Sequence, residues 1–208
     1  VVNLVDNFML GTYNETAMSG AALVNQVQFM LSQVIGGIGG GISVLCSQYW
    51  GKGETTPIRK IISIGVKISF IAGIIFFIAT KFWPYQVMSL FTNDAAILEA
   101  AVEYLDIMSW TYLIFSISAT LIYSLQSVQT AFIGSIMSAS TIVINGCLNY
   151  IFIFGNFGAP ELGVRGAAIA TITSRIVELI IILTYLFFID KKIKMKPKHL
   201  VALDFSYI

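Results

Sequence analysis

Ile68-Ser-Phe-Ile-Ala-Gly-Ile-Ile-Phe-Phe-Ile-Ala79 carries no charge over twelve residues. Outward from it, the apolar run reaches back to Pro57 and on to Phe82, with Arg59, Lys60, Lys67 and Lys81 confined to its two ends. Pro57 suits the first turn of a helix, and Trp83-Pro84 ends one. About 20 apolar residues suffice to cross a bilayer core, so this segment reads as a membrane span. Composition agrees. Of 208 residues, 57% are hydrophobic and 11% charged, and mean hydropathy is +0.83. A soluble domain carries about 25% charged residues. The balance excludes a cytosolic enzyme and a disordered tail. A net charge of +1 also excludes a nucleic-acid binder, which needs a basic surface.

Similar runs flank this one. Val1 to Gly11 is too short to span, lacks a basic n-region, and reads as the second half of a helix, followed by a polar turn at Thr12 to Glu15. It is not a signal peptide. A long run from Ala17 to Trp50 contains the glycine cluster Gly36 to Gly41 and ends in a polar link, Gly51 to Thr56. Beyond Pro84 the chain reads as a loop with interfacial aromatics as far as Asp94. Further spans cover Ala95 to Ser127, Ala131 to Phe154 and Val164 to Ile189, with a Gly/Pro loop at Gly155 to Gly163. The expectation is an all-α integral membrane bundle of six helices, the first partial, over residues 1–190. A basic cytoplasmic tail or linker, 191–208, follows.

Orientation follows from lysine and arginine in short loops. Lys52, Arg59, Lys60, Lys67, Lys191, Lys192, Lys194, Lys196 and Lys198 fall on one side, and Lys81 and Arg165 on the other. The richer side is expected to be cytoplasmic, with the turn at Thr12 to Glu15 outside and His199 inside. The protein is then expected to be a multi-pass plasma-membrane protein.

Polar side chains are costly in hydrocarbon and turn toward a neighbour or a cavity. Ser109, Tyr112, Ser116, Thr120 and Tyr123 recur at helical steps, as do Ser138, Thr141, Asn145 and Asn149. Thr171, Ser174 and Glu178, and Asn25, Gln28 and Ser32, form shorter stripes. The span containing Ile68 to Ala79 is expected to face lipid. The stripes fit either a hydrated cavity or hydrogen bonding between helices. Tyr112, Ser116, Thr141, Arg175 and Glu178 are candidates to line a substrate cavity. Arg175 and Glu178 also have the spacing of an ion pair. Asp6 is the sharpest feature. A carboxylate inside a bilayer costs on the order of 3 kcal/mol, and such a group can exchange a proton or hold Na⁺ or a cationic ligand. The alternative is a hydrated aspartate near a helix end. Gly36 to Gly41 contains GxxxG spacings that permit close helix approach, expected at Gly37 and Gly40. Cys46 and Cys147 read as buried thiols. One histidine, His199, provides no multi-histidine metal site. There is no phosphate-binding Gly-Lys-Ser/Thr loop and no nucleophile–base constellation, so no enzymatic activity and no cofactor are expected.

Four motifs carry a resemblance. Val5-Asp-Asn-Phe-Met-Leu-Gly11 resembles the first-helix signature of the multidrug and toxic compound extrusion (MATE) transporters. Gln48-Tyr-Trp-Gly-Lys-Gly53 is similar to the turn after that family's second helix, and Asn145-Gly-Cys-Leu-Asn149 to its fifth helix. Gly158-Ala-Pro-Glu-Leu-Gly-Val-Arg-Gly-Ala-Ala-Ile-Ala-Thr171 resembles its loop and sixth helix. They occur in order and cover the chain up to the tail.

The resemblance implies the N-terminal lobe of a twelve-helix antiporter whose two lobes form a V-shaped cleft. It implies secondary active multidrug efflux, with cationic or amphipathic compounds exported against Na⁺ or H⁺. The implied partners are small-molecule substrates, the bilayer and the C-terminal lobe of the same full-length chain. Asp6 matches the family's first-helix acidic residue, Asn145 an asparagine of its N-lobe cation site, and Thr171 a polar position of the same network. Asn149 matches a position where one branch carries Asp, so that branch's proton site lacks a charge here. Gln126 to Thr130 replaces glycines common between the fourth and fifth helices. A lipid-linked oligosaccharide flippase of related fold is the alternative. It would need a basic cleft, and Arg175 is the only basic residue deep in a span.

Overall fold

The computed structural model describes residues 2–128, 130–190, 192–197 and 200. His199 and residues 201–208 lie outside them. The described chain is a helical bundle: α1 (Val2–Tyr13), α2 (Glu15–Gly51), α3 (Thr55–Phe82), α4 (Pro84–Ser89), α5 (Ala95–Ser127), α6 (Ala131–Phe154) and α7 (Gly163–Thr184). The last of these continues as one wider π turn, Tyr185–Ile189. Among the described residues, five helices are long and apolar enough to cross a membrane. At 12 residues, α1 rises only about 18 Å.

The helix ends follow from local chemistry. Asn14 alone separates α1 from α2, a shorter turn than the four residues expected. Its extended backbone and a side chain accepting from Ala17 N at 3.1 Å cap α2. Asp94 caps α5 by accepting from the amides of Ala96 and Ile97. Pro84 starts α4, a short helix where a loop was expected. Gly155, at φ +69°, ends α6.

The centre of the bundle is α5, packed against α2, α3 and α7. Its buried column runs Tyr104, Met108, Tyr112, Ser116, Thr120, Ser124, one residue per turn. Apolar packing forms two zones. Leu10, Val24, Leu31, Tyr104, Met108 and Ala167 fill the Asn14 end. Ile42, Cys46, Ile62, Leu125, Ile182 and Ile193 fill the opposite end.

Three expectations are corrected here. The span through Ile68 to Ala79 does not simply face lipid. Ile71 and Ile75 are exposed, but Ser69 is buried and accepts from Thr120 Oγ1 at 2.7 Å, and Gly73 makes room for Ser116. Gly37 and Gly40 make no close helix contact, because a Cβ on either would meet nothing within 4 Å. Gly39 does, as its Cβ would overlap the Tyr123 ring. Cys147 is exposed, unlike Cys46.

The basic tail is also not a free soluble segment where it is described. Ile193 and Met195 are buried in the second zone. Arg59 Nε donates to Ile193 O at 2.7 Å, and Lys192 Nζ to Val128 O at 3.3 Å. Asp190 accepts from the amides of Ile193 and Lys194. This strap ties the start of α3 to the α5–α6 junction.

Candidate cation-coupling site

Three features of the α6–α7 connection decide where its side chains point. Leu162 N donates to Phe152 O at 2.9 Å, turning the chain back onto α6. Gly163 takes φ +51°, and a side chain there would press on the Tyr13 ring at 2.8 Å. Gly166 sits directly on α6, where a Cβ would overlap the Phe152 carbonyl oxygen. The glycines of the Gly158 to Thr171 motif therefore let α7 lie against α6 and α1. On the α1 side, Gly146 faces Val5.

That close approach carries Thr171, Asn145 and Asn149 to Asp6. The Asp6 side chain is fully buried. Its Oδ1 accepts from Asn145 Nδ2 at 3.0 Å and from Asn149 Nδ2 at 2.6 Å. Its Oδ2 accepts from Thr171 Oγ1 at 2.6 Å and from Tyr104 Oη at 3.2 Å. Asn145 Nδ2 also donates to Thr171 Oγ1, and Asn149 Nδ2 to Asn145 Oδ1. Residues from α1, α5, α6 and α7 thus close one polar cluster.

An ionised carboxylate has about four acceptor sites, and four neutral donors fill them here. No Lys or Arg partners Asp6 among the described residues. Dipoles therefore hold the carboxylate but leave its charge uncompensated, and a buried charge demands compensation. Asn149 Oδ1 is buried and has no hydrogen-bond partner. Rotating the Asn149 amide about its last torsion puts this oxygen where its nitrogen now meets Asp6. The same residue can then accept from a carboxylic acid or offer an oxygen to a hard cation, which prefers oxygen ligands.

Tyr104 is the member that the sequence reading missed. It sits among Glu99, Glu103 and Asp106, which are exposed. The signal was present, because Tyr104 lies two turns before Tyr112 on the column of the α5 stripe.

The remaining candidates are dispersed. Tyr112 and Ser116 have no accessible surface, which corrects their place as cavity-lining residues. The Tyr112 ring stands edge-on to Phe76 of α3, and Ser116 fills the space left by Gly73. Thr141 is buried one turn beyond Asn145 and donates to Met137 O. Ser138 is exposed and leaves the α6 stripe. Arg175 and Glu178 form an ion pair at 2.8 Å. Asn25 Nδ2 donates to Asn7 Oδ1 at 3.1 Å, joining α2 to α1.

A family model described as MatE matches residues 1–151. The probable multidrug resistance protein NorM of Thermotoga maritima is 33% identical over 93% of this chain and 41% of that protein. The protein of the same name from Rhizobium meliloti is 28% identical over 82% of this chain and 36% of its own length. The chain thus spans about two-fifths of the length of these curated relatives. A multidrug resistance MATE family transporter of the MOP superfamily, solved in an inward-facing conformation, superposes with a TM-score of 0.85. It is 20% identical, with 95% of this chain and 44% of that one covered, a likeness of fold. The bundle fits an N-terminal lobe of such a transporter, and the match over residues 1–151 decides the family: the chain belongs to the MatE family of multi-pass membrane transporters.

Proposed function

We infer that this chain is a lobe of a secondary active exporter of cationic or amphipathic compounds, coupled to entry of Na⁺ or H⁺ through Asp6. One observation carries the reading. Asp6 is a fully buried carboxylate held by four neutral donors, with no cationic side chain among the described residues to balance it. A proton or Na⁺ supplies the missing charge. Its arrival and departure alter the hydrogen bonds of α1, α5, α6 and α7 together, so occupancy biases how these helices pack. A ligand shifts such an equilibrium only through different affinities for the two states, and a site shared by four helices provides that difference.

The test is Asp6→Asn in the full-length transporter, reconstituted in proteoliposomes and assayed for ethidium transport under an imposed Na⁺ or proton gradient. Asn is nearly isosteric and neutral, so folding is retained. Loss of gradient-driven transport in the variant is the expected result. Transport at the wild-type rate under both gradients would refute the assignment.

A further inference from the structure

α2 turns a broad face away from the rest of the lobe. Gln26, Gln33 and Gly40 follow one edge of that face, and Val34, Gly41 and Leu45 follow the other; all six are exposed. The two edges stand about 100° apart around the helix. Inside a membrane the edge with glutamines calls for protein or water. The other edge is apolar, and it does not lie flat. Gly37, Gly41 and Leu45 face Ile61, Ile64 and Ile68 of α3 across a groove of about 330 Å³. A Cβ on Gly37 or Gly41 would meet nothing within 4 Å, so no described part of the lobe fills it. By helical rise the groove is about 10–12 Å long and begins about 9 Å from the neighbouring ends of α2 and α3. It therefore fits within one leaflet, whose hydrocarbon is about 15 Å deep.

The groove ends toward the lysine-rich side of the bundle, which the charge rule places at the cytoplasm. Tyr49 lies one turn beyond Leu45, and Lys52 two turns beyond it on the same side of α2. Lys52 Nζ sits over the Tyr49 ring, 5.5 Å from its centroid. On α3, Lys60 lies one turn before Ile64. Glu54 is the one carboxylate in the turn between the helices, so the mouth is basic on balance. We propose that the groove between α2 and α3 holds one acyl chain of an anionic phospholipid, whose phosphate lies on Lys52. The glycines give the chain its space, the isoleucines give it an apolar wall, and the tyrosine ring stands at the level of the glycerol backbone, where aromatic side chains favour the interface. This inference is independent of the coupling role of Asp6.

The experiment uses full-length transporter in phosphatidylcholine vesicles. Leu45→Trp places a fluorophore at the rim of the groove, with the other tryptophans replaced by phenylalanine. Quenching by acyl-chain dibrominated phosphatidylglycerol is compared with quenching by dibrominated phosphatidylcholine. Phosphatidylglycerol is expected to be preferred about fivefold, the contribution of one lysine to binding an anionic lipid. Lys52→Gln should bring the preference close to one. Gly41→Leu fills the groove and should weaken quenching by both lipids, whereas Gly40→Leu, on the glutamine edge, should leave it unchanged. Equal quenching by the two lipids before Lys52 is changed overturns the proposal, as does undiminished quenching in Gly41→Leu. Weak quenching by both lipids in the starting protein also overturns it, because the rest of the transporter then covers the groove. Should Gly41→Leu not fold, Lys52→Gln decides: an unchanged preference refutes the headgroup contact and the site with it.

Discussion

Gly166→Ala tests whether the packing of α7 on α6 sets the geometry at Asp6. A Cβ at this position would lie 2.5 Å from the Phe152 carbonyl carbon and 2.9 Å from Ile153 N, besides overlapping the carbonyl oxygen. These are backbone atoms, so no side chain can swing away. Relieving the overlap requires α7 to move off α6 by about 1 Å. A shift of that size along the Thr171–Asp6 direction lengthens their 2.6 Å hydrogen bond beyond the range of a useful one. Overpacking costs about 1–3 kcal/mol. The better helix propensity of Ala returns less than about 1 kcal/mol. The net loss should lower the Tm of the detergent-solubilised full-length protein by a few degrees, and gradient-driven ethidium transport should fall more than this modest destabilisation explains. Serine, also larger than glycine, should behave alike. Wild-type Tm and transport in Gly166→Ala would refute the argument that this glycine positions Thr171.

Tyr104→Phe removes one of four donors to Asp6 and leaves the packing of the ring in place. A hydrogen bond to a charged group contributes about 1.5–3 kcal/mol, so kcat/KM for gradient-driven transport should drop about tenfold or more, and unchanged transport would show that the hydroxyl is dispensable. Ile193→Ala should destabilise by about 2–5 kcal/mol, as for a buried core residue, measured as the loss of Tm in the full-length protein. A change within about 0.5 kcal/mol, the usual scale for a surface site, would show that the strap is not packed in solution.

Helix boundaries were legible where the sequence encodes their caps. Asp94 acts through its side chain and Gly155 through its backbone, which is why α5 begins and α6 ends where the apolar runs do. Phase was harder. Six residues from Gly36 to Gly41 include five glycines, and composition does not rank them. The buried stripe of α2 does, because Leu31 and Ile35 lead by steps of four to Gly39, not to Gly37 or Gly40. Polar stripes were ambiguous for a different reason. A serine or threonine inside a membrane helix satisfies itself against its own backbone, as Ser116 does with Leu113 O and Thr141 with Met137 O. Such residues need no cavity and give no sign of one.

Asp6 differs because it cannot be satisfied from its own helix. A carboxylate needs several donors, and an α-helix interior has no spare N–H to give. The presence of Asp6 in an apolar helix therefore implies partners on other helices, while leaving open which ones. The asparagines of α6 and Thr171 of α7 were within reach of inference as polar groups on their own stripes. Tyr104 was hidden by its charged neighbours, which face away from it around the same helix. The strap shows the same averaging error at the other end of the chain. Lys192-Ile-Lys-Met-Lys196 alternates charge with apolar bulk, and a period of two is the mark of an extended segment with one face buried. Counting its lysines made it a soluble tail, whereas following every second residue leads to Ile193 and Met195, the two that enter the core.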